Sequence, residues 1–274
     1  MKISATKFIA IALHKHKFRS MTRARFSFAL FSVLYMSIAL AAPSLGAIIQ
    51  GGSTVGLAVF DFDSVPNPSS PWTPYSLISG PGLLIGERLV GQSTTPNGNH
   101  EIVSGTPGVT LQIDVSRPVT TGVSVFSGVS YPGDQDFGPE GTLGWPNPNS
   151  LGEGSFTMLF SQDQAIMGFD VAYSSAANQV QLLFYGRTGA LLGSLTGAHP
   201  ATGSGSFPLV FSVSSGPLIA AVTVNNTDTD GLGYDNIRYA VPEPGIPALV
   251  GLGIAALTFA RRSKRVRCNA FLDQ

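Results

Sequence analysis

The sequence is poor in charged residues and in cysteine. Only 12% of its 274 residues are charged, and Cys268 is its single cysteine. An internal disulfide is therefore excluded, and zinc centres built from clustered Cys and His lack their usual ligands. Residues 48–240 contain neither a Gly-x-Ser-x-Gly elbow nor a His-Glu-x-x-His motif, so the common serine and zinc hydrolase sites have no sequence signature here.

Charge is distributed unevenly along the chain. Residues 1–47 hold seven lysines or arginines and no acid, and residues 241–274 hold five basic and two acidic residues. Residues 48–240 hold four arginines, no lysine and fourteen acids, a formal charge of −10. An acidic segment of this kind repels nucleic acids and anionic membrane surfaces. The sequence therefore predicts no nucleic-acid partner and favours cations or neutral ligands.

An apolar run occupies residues 26–42. It follows Met-Thr-Arg-Ala-Arg, which begins at Met21, and it ends in small residues. These are the parts of a secretory signal peptide. We predict a leader with a signal helix over residues 1–47, cleaved after Ala47, with a second acceptable site within residues 39–41. Met21 is the expected start, because the basic region then has the usual length.

A second apolar run lies near the end of the chain. Residues 242–244 read Pro-Glu-Pro, residues 246–260 carry no charge, and residues 261–265 are Arg-Arg-Ser-Lys-Arg. Proline ends regular structure, an uncharged apolar segment partitions into lipid, and a basic cluster stays cytoplasmic. The pattern predicts a transmembrane helix over 246–260 and a cytoplasmic tail over 266–274. The alternative is a buried helix of a globular domain, although no polar face interrupts the run.

Residues 241–265 resemble the PEP-CTERM sorting domain of exported proteins in Gram-negative bacteria that make extracellular polysaccharide. Pro242, Glu243 and Pro244 fit the recognition motif of that family position by position. The resemblance implies that the protein is a substrate of the membrane enzyme exosortase. It also implies that the helix holds the protein in the inner membrane until the anchor is removed. The expected destination is the cell surface or the extracellular space.

Residues 48–240 have the pattern of one all-β domain, with short segments rich in Val, Ile and Phe between stretches rich in Gly, Pro, Ser and Thr. Ten short segments without a 40-residue repeat favour a two-sheet β-sandwich or jelly roll over a propeller. Long loops are expected over 65–74 and 131–149, and a hairpin turn at Gly189. The predicted strands are 56–62, 109–115, 122–129, 155–160, 166–173, 179–185, 190–195, 207–213, 219–224 and 234–240.

The segment from Ile166 onward resembles the C-terminal half of jelly-roll ectodomains that are often joined to this sorting signal. The shared elements are Gly-Phe-Asp-Val at 168–171, the turn at Gly189, and Asp-Asn-Ile-Arg at 235–238. The resemblance supports the fold and implies no activity.

A possible calcium site begins at Asn226. Asn226, Asp228 and Asp230 alternate and are followed by glycine, which is the first half of a calcium-binding loop. The glutamate expected at the twelfth position is replaced by Ile237, so Asp235 would have to substitute for it. The alternative is an acidic turn between two strands.

Asp61 and Asp63 alternate on a predicted strand and would point to one face. They could join Asp235 at a metal ion. A solvated strand face is the alternative.

Acidic and aromatic residues in the predicted loops suggest two further uses. Asp134, Asp136 and Glu140 precede Trp145, and a carboxylate pair near an aromatic ring could hydrolyse a glycosidic bond. Acidic loop tips are ordinary, however.

Sugar binding is the better use, because aromatic rings stack on pyranoses while polar groups bind hydroxyls. The candidates are Trp72 and Trp145, with Tyr75 and Tyr131, and the alternative is that these aromatics cap the core.

The favoured hypothesis is an exported, non-enzymatic surface or matrix protein whose β-sandwich binds carbohydrate or has a structural role. Its expected partners are exosortase, the inner membrane and extracellular polysaccharide. A secreted polysaccharide hydrolase that uses loop carboxylates is the alternative. A structural Ca²⁺ is the only cofactor that the sequence suggests.

Overall fold

The computed structural model describes residues 47–68, 72–127, 135–144 and 146–241. The predicted signal helix and the predicted membrane helix lie outside these ranges. Within them, no helix has the length and apolar character needed to cross a membrane.

The described chain forms sixteen strands and two short 3₁₀ turns, at Val119–Thr121 and Pro148–Ser150. The strands are β1 Ala47–Gln50, β2 Ala58–Phe60, β3 Trp72–Tyr75, β4 Ile78–Gly80, β5 Leu83–Gly86, β6 Ser93–Asn97, β7 His100–Ser104, β8 Val123–Ser127, β9 Gln135–Pro139, β10 Ser155–Gln164, β11 Ile166–Ala172, β12 Val180–Tyr185, β13 Leu191–Gly197, β14 Ser206–Ser215, β15 Ile219–Asn226 and β16 Gly233–Tyr239.

These strands form two large antiparallel sheets and one hairpin. The eight-stranded sheet has the order β1-β14-β11-β16-β9-β8-β3, with β2 pairing beside β9 on β16. The six-stranded sheet has the order β13-β12-β15-β10-β5-β4, and β6 pairs only with β7. Antiparallel sheets permit one face to be apolar and the other polar, which suits the alternating sequence.

The two sheets pack face to face through an aromatic core. Phe156 of β10 lies 6.3 Å from Phe169 and 4.7 Å from Tyr234, measured between ring centroids. Phe184 of β12 lies 5.4 Å from Phe211. Burying such a side chain contributes about 1.5–3 kcal/mol. The prediction of an all-β, sandwich-like fold is confirmed.

Two expectations about local structure are wrong. Residues 109–115 do not form a strand, because only Ile113 makes an isolated bridge, to Leu89. The segments expected to be long loops contain β3 and β9. Strand β3 includes Pro74, but it is the last strand of its sheet, where a missing N–H is tolerated.

The motifs at residues 168–171 and 235–238 lie on neighbouring, paired strands. Asp170 in β11 lies opposite Asp235 in β16. Asn236 takes a left-handed backbone, φ 51°, where the pairing of the two strands changes register. Arg238 then binds Asp170 through two hydrogen bonds, of 2.6 and 3.0 Å.

Candidate functional site

The outer face of the six-stranded sheet is half covered. Strand β12 sends Val180, Leu182 and Phe184 into the core, so Gln181, Leu183 and Tyr185 point outward. The segment 87–115, which includes the hairpin β6–β7, packs on β10 and β15. The outward face of β12 and β13 is therefore the part left open.

A buried polar network lies between the segment 87–115 and the covered half of the sheet face. Gln92 donates from Nε2 to the hydroxyl of Tyr185 at 2.9 Å and accepts from the N–H of Leu89 at 2.8 Å. The hydroxyls of Thr157 and Thr223 lie 2.9 Å apart across β10 and β15. Gln92, Thr157 and Thr223 thus have the partners that buried polar groups need.

Asn225 fixes the hairpin to the sheet. Its Oδ1 accepts from the N–H of Val103 at 2.9 Å, and its Nδ2 donates to the carbonyl of Val103 at 3.1 Å. The side-chain amide thus binds both backbone groups of Val103, as a neighbouring strand would. Ser155 adds a bond from its hydroxyl to the carbonyl of Glu101.

Two adjoining cavities form a groove along β12, which we call the β12 groove. The first, of about 250 Å³, is lined by Gln181, Leu182, Leu183, Ser194, Leu195 and Thr196. The second, of about 290 Å³, is lined by Ser104, Gly105, Thr106, Leu183, Tyr185, Gly189, Ala190 and Leu191. Hydroxyl and amide groups stand over an aliphatic floor, and neither cavity has a charged lining residue. The β12 groove therefore suits a neutral, hydroxyl-rich ligand.

A buried carboxyl pair lies at the covered half. Glu87, 2% exposed, follows β5, and Glu101 comes from β7. Arg117 Nε lies 3.2 Å from Glu87 Oε2, and Arg117 Nη2 lies 3.5 Å from Glu101 Oε1. Burial raises the pKa of Glu87 to about 7, and the charge of Glu101 adds to the rise while Arg117 and Arg88 oppose it. The pair holds the hairpin in place rather than facing the groove.

Glu153 is a second buried acid with a raised pKa. Burial, and then the negative charges of Asp228 and Asp230, raise the pKa of Glu153 to about 7. His100 Nδ1 lies 2.6 Å from Glu153 Oε2, and the backbone of Glu101 donates to the carbonyl of Glu153. These contacts join the hairpin to the segment that precedes β10.

The residues of the predicted calcium loop form a hydrogen-bonded turn. Asp228, 1% exposed, accepts from the N–H and hydroxyl of Ser175 at 2.9 Å each, from the hydroxyl of Ser174 at 3.2 Å, and from the N–H of Asp230 at 2.9 Å. Asn226 Oδ1 accepts from the N–H of Asp228 at 2.6 Å. Protein donors thus occupy the carboxylate that a cation would need.

Asp235, the fourth predicted ligand, lies in β16 rather than in that turn. Among the residues the structure describes, no three His, Cys, Asp or Glu side chains are grouped to hold a metal ion. The geometry favours the acidic turn that the sequence left as the alternative.

Asp61 and Asp63 lie beyond the end of β2, not on a strand face. Phe62 between them takes a left-handed backbone, φ 63°, which directs its ring into the core. Asp61 accepts from the N–H of Asp63 at 3.3 Å, and Asp63 accepts from the N–H of Gln135 at 3.0 Å. Both carboxylates therefore shape a turn.

Of the four aromatic candidates, one is buried, one is partly buried and two lie outside the described residues. Trp72, 6% exposed, lies in β3. A buried indole has no face open to a sugar ring, so Trp72 covers the core. Tyr75 donates to the carbonyl of Pro66. Trp145 and Tyr131 lie outside the described residues.

The carboxylates proposed for hydrolysis are buried where the structure describes them. Asp136 accepts from the hydroxyl of Tyr173 at 2.6 Å. Glu140 accepts from the hydroxyl of Ser124 at 2.6 Å, and burial raises its pKa against the effect of that bond. Both carboxylates therefore hydrogen-bond to side chains of the folded domain. Asp134 lies outside the described residues.

The predicted processing points lie at the two ends of the described domain. Ala47 is the first residue of β1, and its carbonyl accepts from the hydroxyl of Ser214 at 2.9 Å. Cleavage after Ala47 would leave Ile48–Gln50 to pair with β14. Pro242, Glu243 and Pro244 lie just beyond the described residues, directly after Val241.

Sequence reasoning missed the groove and the buried acids. Glu87, Glu101 and Glu153 are isolated in sequence, with no motif around them. The one available signal was the position of Glu87 directly after the apolar residues 83–86. An acid that is buried beside such a strand usually has a partner.

The described part of the protein is an all-β domain that ends where the Pro-Glu-Pro segment begins. Residues 240–265 match the family model for the PEP-CTERM protein-sorting motif. The chain therefore carries the PEP-CTERM signal that its sequence predicts, which implies export and processing by exosortase.

No curated protein matches the chain. Among solved structures, a mutant of a family 29 carbohydrate binding module matches with a TM-score of 0.26 and 11% identity, covering 42% of this chain and 80% of that one. At that TM-score the likeness carries no conclusion.

Proposed function

We propose that this protein enters the export pathway through its N-terminal signal, is held in the inner membrane by the helix over 246–260, and is released by exosortase at Pro242-Glu243-Pro244. The released domain, a β-sandwich of the jelly-roll kind, binds carbohydrate at the cell surface or in extracellular polysaccharide, and it is not an enzyme. The sorting motif at residues 240–265 carries the export part of this proposal.

The β12 groove supports the carbohydrate part. Gln181, Ser194 and Thr196 offer amide and hydroxyl groups on neighbouring strands, which suit the hydroxyls of a sugar. Leu183 lies on the floor of both cavities and offers an apolar surface to the C–H face of a ring. An uncharged lining in an acidic domain favours a neutral glycan over an anionic one.

Binding is tested by sedimentation with cellulose, chitin and the extracellular polysaccharide of the producing strain, using the full-length chain in detergent. The double variant Gln181→Ala with Thr196→Ala removes groups that bind the ligand, so we expect at least about tenfold weaker binding, as for two lost hydrogen bonds. Gln162→Ala, an exposed glutamine on β10, is the matched control. Equal binding by the double variant and the wild type would remove the groove from the proposal.

Trp145→Ala is a companion variant. Trp145 is the other sequence candidate for stacking on the sugar, with a role in capping the core as the alternative. If it stacks on the sugar, its loss should weaken binding without altering the melting temperature. If Trp145→Ala binds normally and the groove variant does not, the binding site is the groove alone.

The absence of catalysis is tested in the same samples. Bound polysaccharide should yield no new reducing ends over a day at 30 °C. Turnover that is lost in Glu140→Gln or Asp134→Asn would establish the hydrolase alternative instead.

A further inference from the structure

The chain leaves the sandwich beside Gln164, the last residue of β10. Gln164 is 1% exposed, and its side chain binds both backbone groups of Ala240. The N–H of Ala240 donates to Oε1 at 2.7 Å, and Nε2 donates to the carbonyl of Ala240 at 3.1 Å. Because β10 and β16 belong to different sheets, this amide joins the two sheets where the chain departs. We call it the Gln164 clamp.

The neighbours of the clamp hold it in place. Gln164 Nε2 also donates to the carbonyl of Gln162 at 2.7 Å, which fixes the orientation of the amide. The hydroxyl of Tyr239, itself buried, donates to the carbonyl of Pro81 at 2.8 Å. Val241 packs partly buried against the core. The backbone is thus held by the fold up to Val241.

The sorting motif begins at the next residue. Three Cα-to-Cα steps of 3.8 Å place Glu243 within about 11 Å of Ala240. No long linker therefore separates the motif from the folded domain. A protease that needs several extended residues must open a clamped segment before it can cut there, and local opening of buried, hydrogen-bonded backbone is costly.

We propose that Gln164 is a positioning residue that ends the folded domain at Val241 and restricts cleavage to the motif side of that residue. Anchor release then depends on the dedicated processing enzyme, because other proteases of the compartment cannot reach the junction from the domain side. This inference rests on the proposed release by exosortase.

The test compares Gln164→Leu with Gln162→Leu, two glutamines on one strand of which only the first is buried. In the full-length chain in detergent, amide exchange at Ala240 should be at least about tenfold faster in Gln164→Leu and unchanged in the control. Brief digestion with proteinase K should give a wild-type product ending at or beyond Val241, and a Gln164→Leu product trimmed to residues 238–240.

The same variants are then expressed in cells that lack exosortase. The wild type and Gln162→Leu should stay in the membrane fraction, whereas Gln164→Leu should be shed with ragged ends. Gln164→Glu, which keeps an acceptor for the Ala240 N–H but loses the donor, should exchange at an intermediate rate if the variant is folded. Its melting curve checks that condition.

The outcomes separate the clamp from the proposed function. Equal exchange and equal trimming of Gln164→Leu and the control would overturn the clamp while leaving exosortase release intact. Release of the wild type without exosortase would instead overturn the proposed function, whatever the exchange data show.

Discussion

Asp170 and Arg238 form a two-pronged ion pair between the neighbouring strands β11 and β16. Arg238 Nη1 lies 2.6 Å from Asp170 Oδ1, and Nη2 lies 3.0 Å from Oδ2. Asn236 donates a further bond to Asp170 at 3.0 Å. Two motifs recognised separately in the sequence are therefore halves of one structural contact, made possible by the left-handed backbone at Asn236.

Loss of Arg238 should destabilise the domain. Arg238→Met leaves Asp170 with a buried charge and fewer donors, so we expect a loss of about 2–4 kcal/mol in the free energy of unfolding. Arg238→Lys should recover only part of it, because an ammonium cannot form the two-pronged contact. Urea unfolding of the full-length chain measures the stability of both variants. If Arg238→Lys is as stable as the wild type, the two-pronged contact does not have the stabilising role assigned to it.

The buried acids predict an unusual dependence of stability on pH. The pKa of Glu87 and that of Glu153 are each raised to about 7, so the folded state binds more protons than the unfolded state between about pH 4.5 and 7. Stability must therefore fall as pH rises through that window. We expect the melting temperature at pH 8 to lie about 5 °C below that at pH 5.5.

Glu87→Gln should reduce that pH difference, because the amide keeps the shape of the neutral acid and does not ionise. Asp163→Asn changes an exposed ion pair with Arg187 and should leave the difference as in the wild type. A melting temperature that rises from pH 5.5 to pH 8 would contradict this interpretation of the cluster.

Trp72 should matter for stability and not for sugar binding. Trp72→Ala removes a buried ring, so a loss of about 3–5 kcal/mol is expected. Binding to polysaccharide, measured at a temperature where the variant is folded, should equal that of the wild type. Weakened binding by folded Trp72→Ala would show that this residue reaches the ligand after all.

Asp228 is expected to stabilise a turn without a metal. Asp228→Ala leaves the two donors of Ser175 and the N–H of Asp230 without this partner and should cost about 3 kcal/mol. The wild type should melt at the same temperature in Ca²⁺ and in chelator. A higher midpoint in Ca²⁺ that Asp228→Ala abolishes would restore the calcium site suggested by the sequence.

The sequence predicted the C-terminal half of the fold more accurately than the rest. Strands β10 to β15 are long and rich in Val, Ile, Leu or Phe, so their pattern is strong. Strand β6 is Ser-Thr-Thr-Pro-Asn, and nothing local marks it as a strand, because it is stabilised by pairing with β7.

The candidate site was less predictable than the fold. The groove exists because residues 87–115 cover one half of a sheet face and leave the other half open, and no local pattern encodes such packing. The Asp228 turn shows the opposite case, since alternating acids are equally suited to a cation and to backbone donors. Only the arrangement of Ser174 and Ser175 distinguishes the two.

The most direct test of the account is the C-terminus of the protein recovered outside the cells, measured by mass spectrometry of its peptides. We predict that the released protein ends within residues 241–245 and yields no peptide from residues 246–274. Released protein that still contains residues 246–260 would contradict processing at the sorting motif.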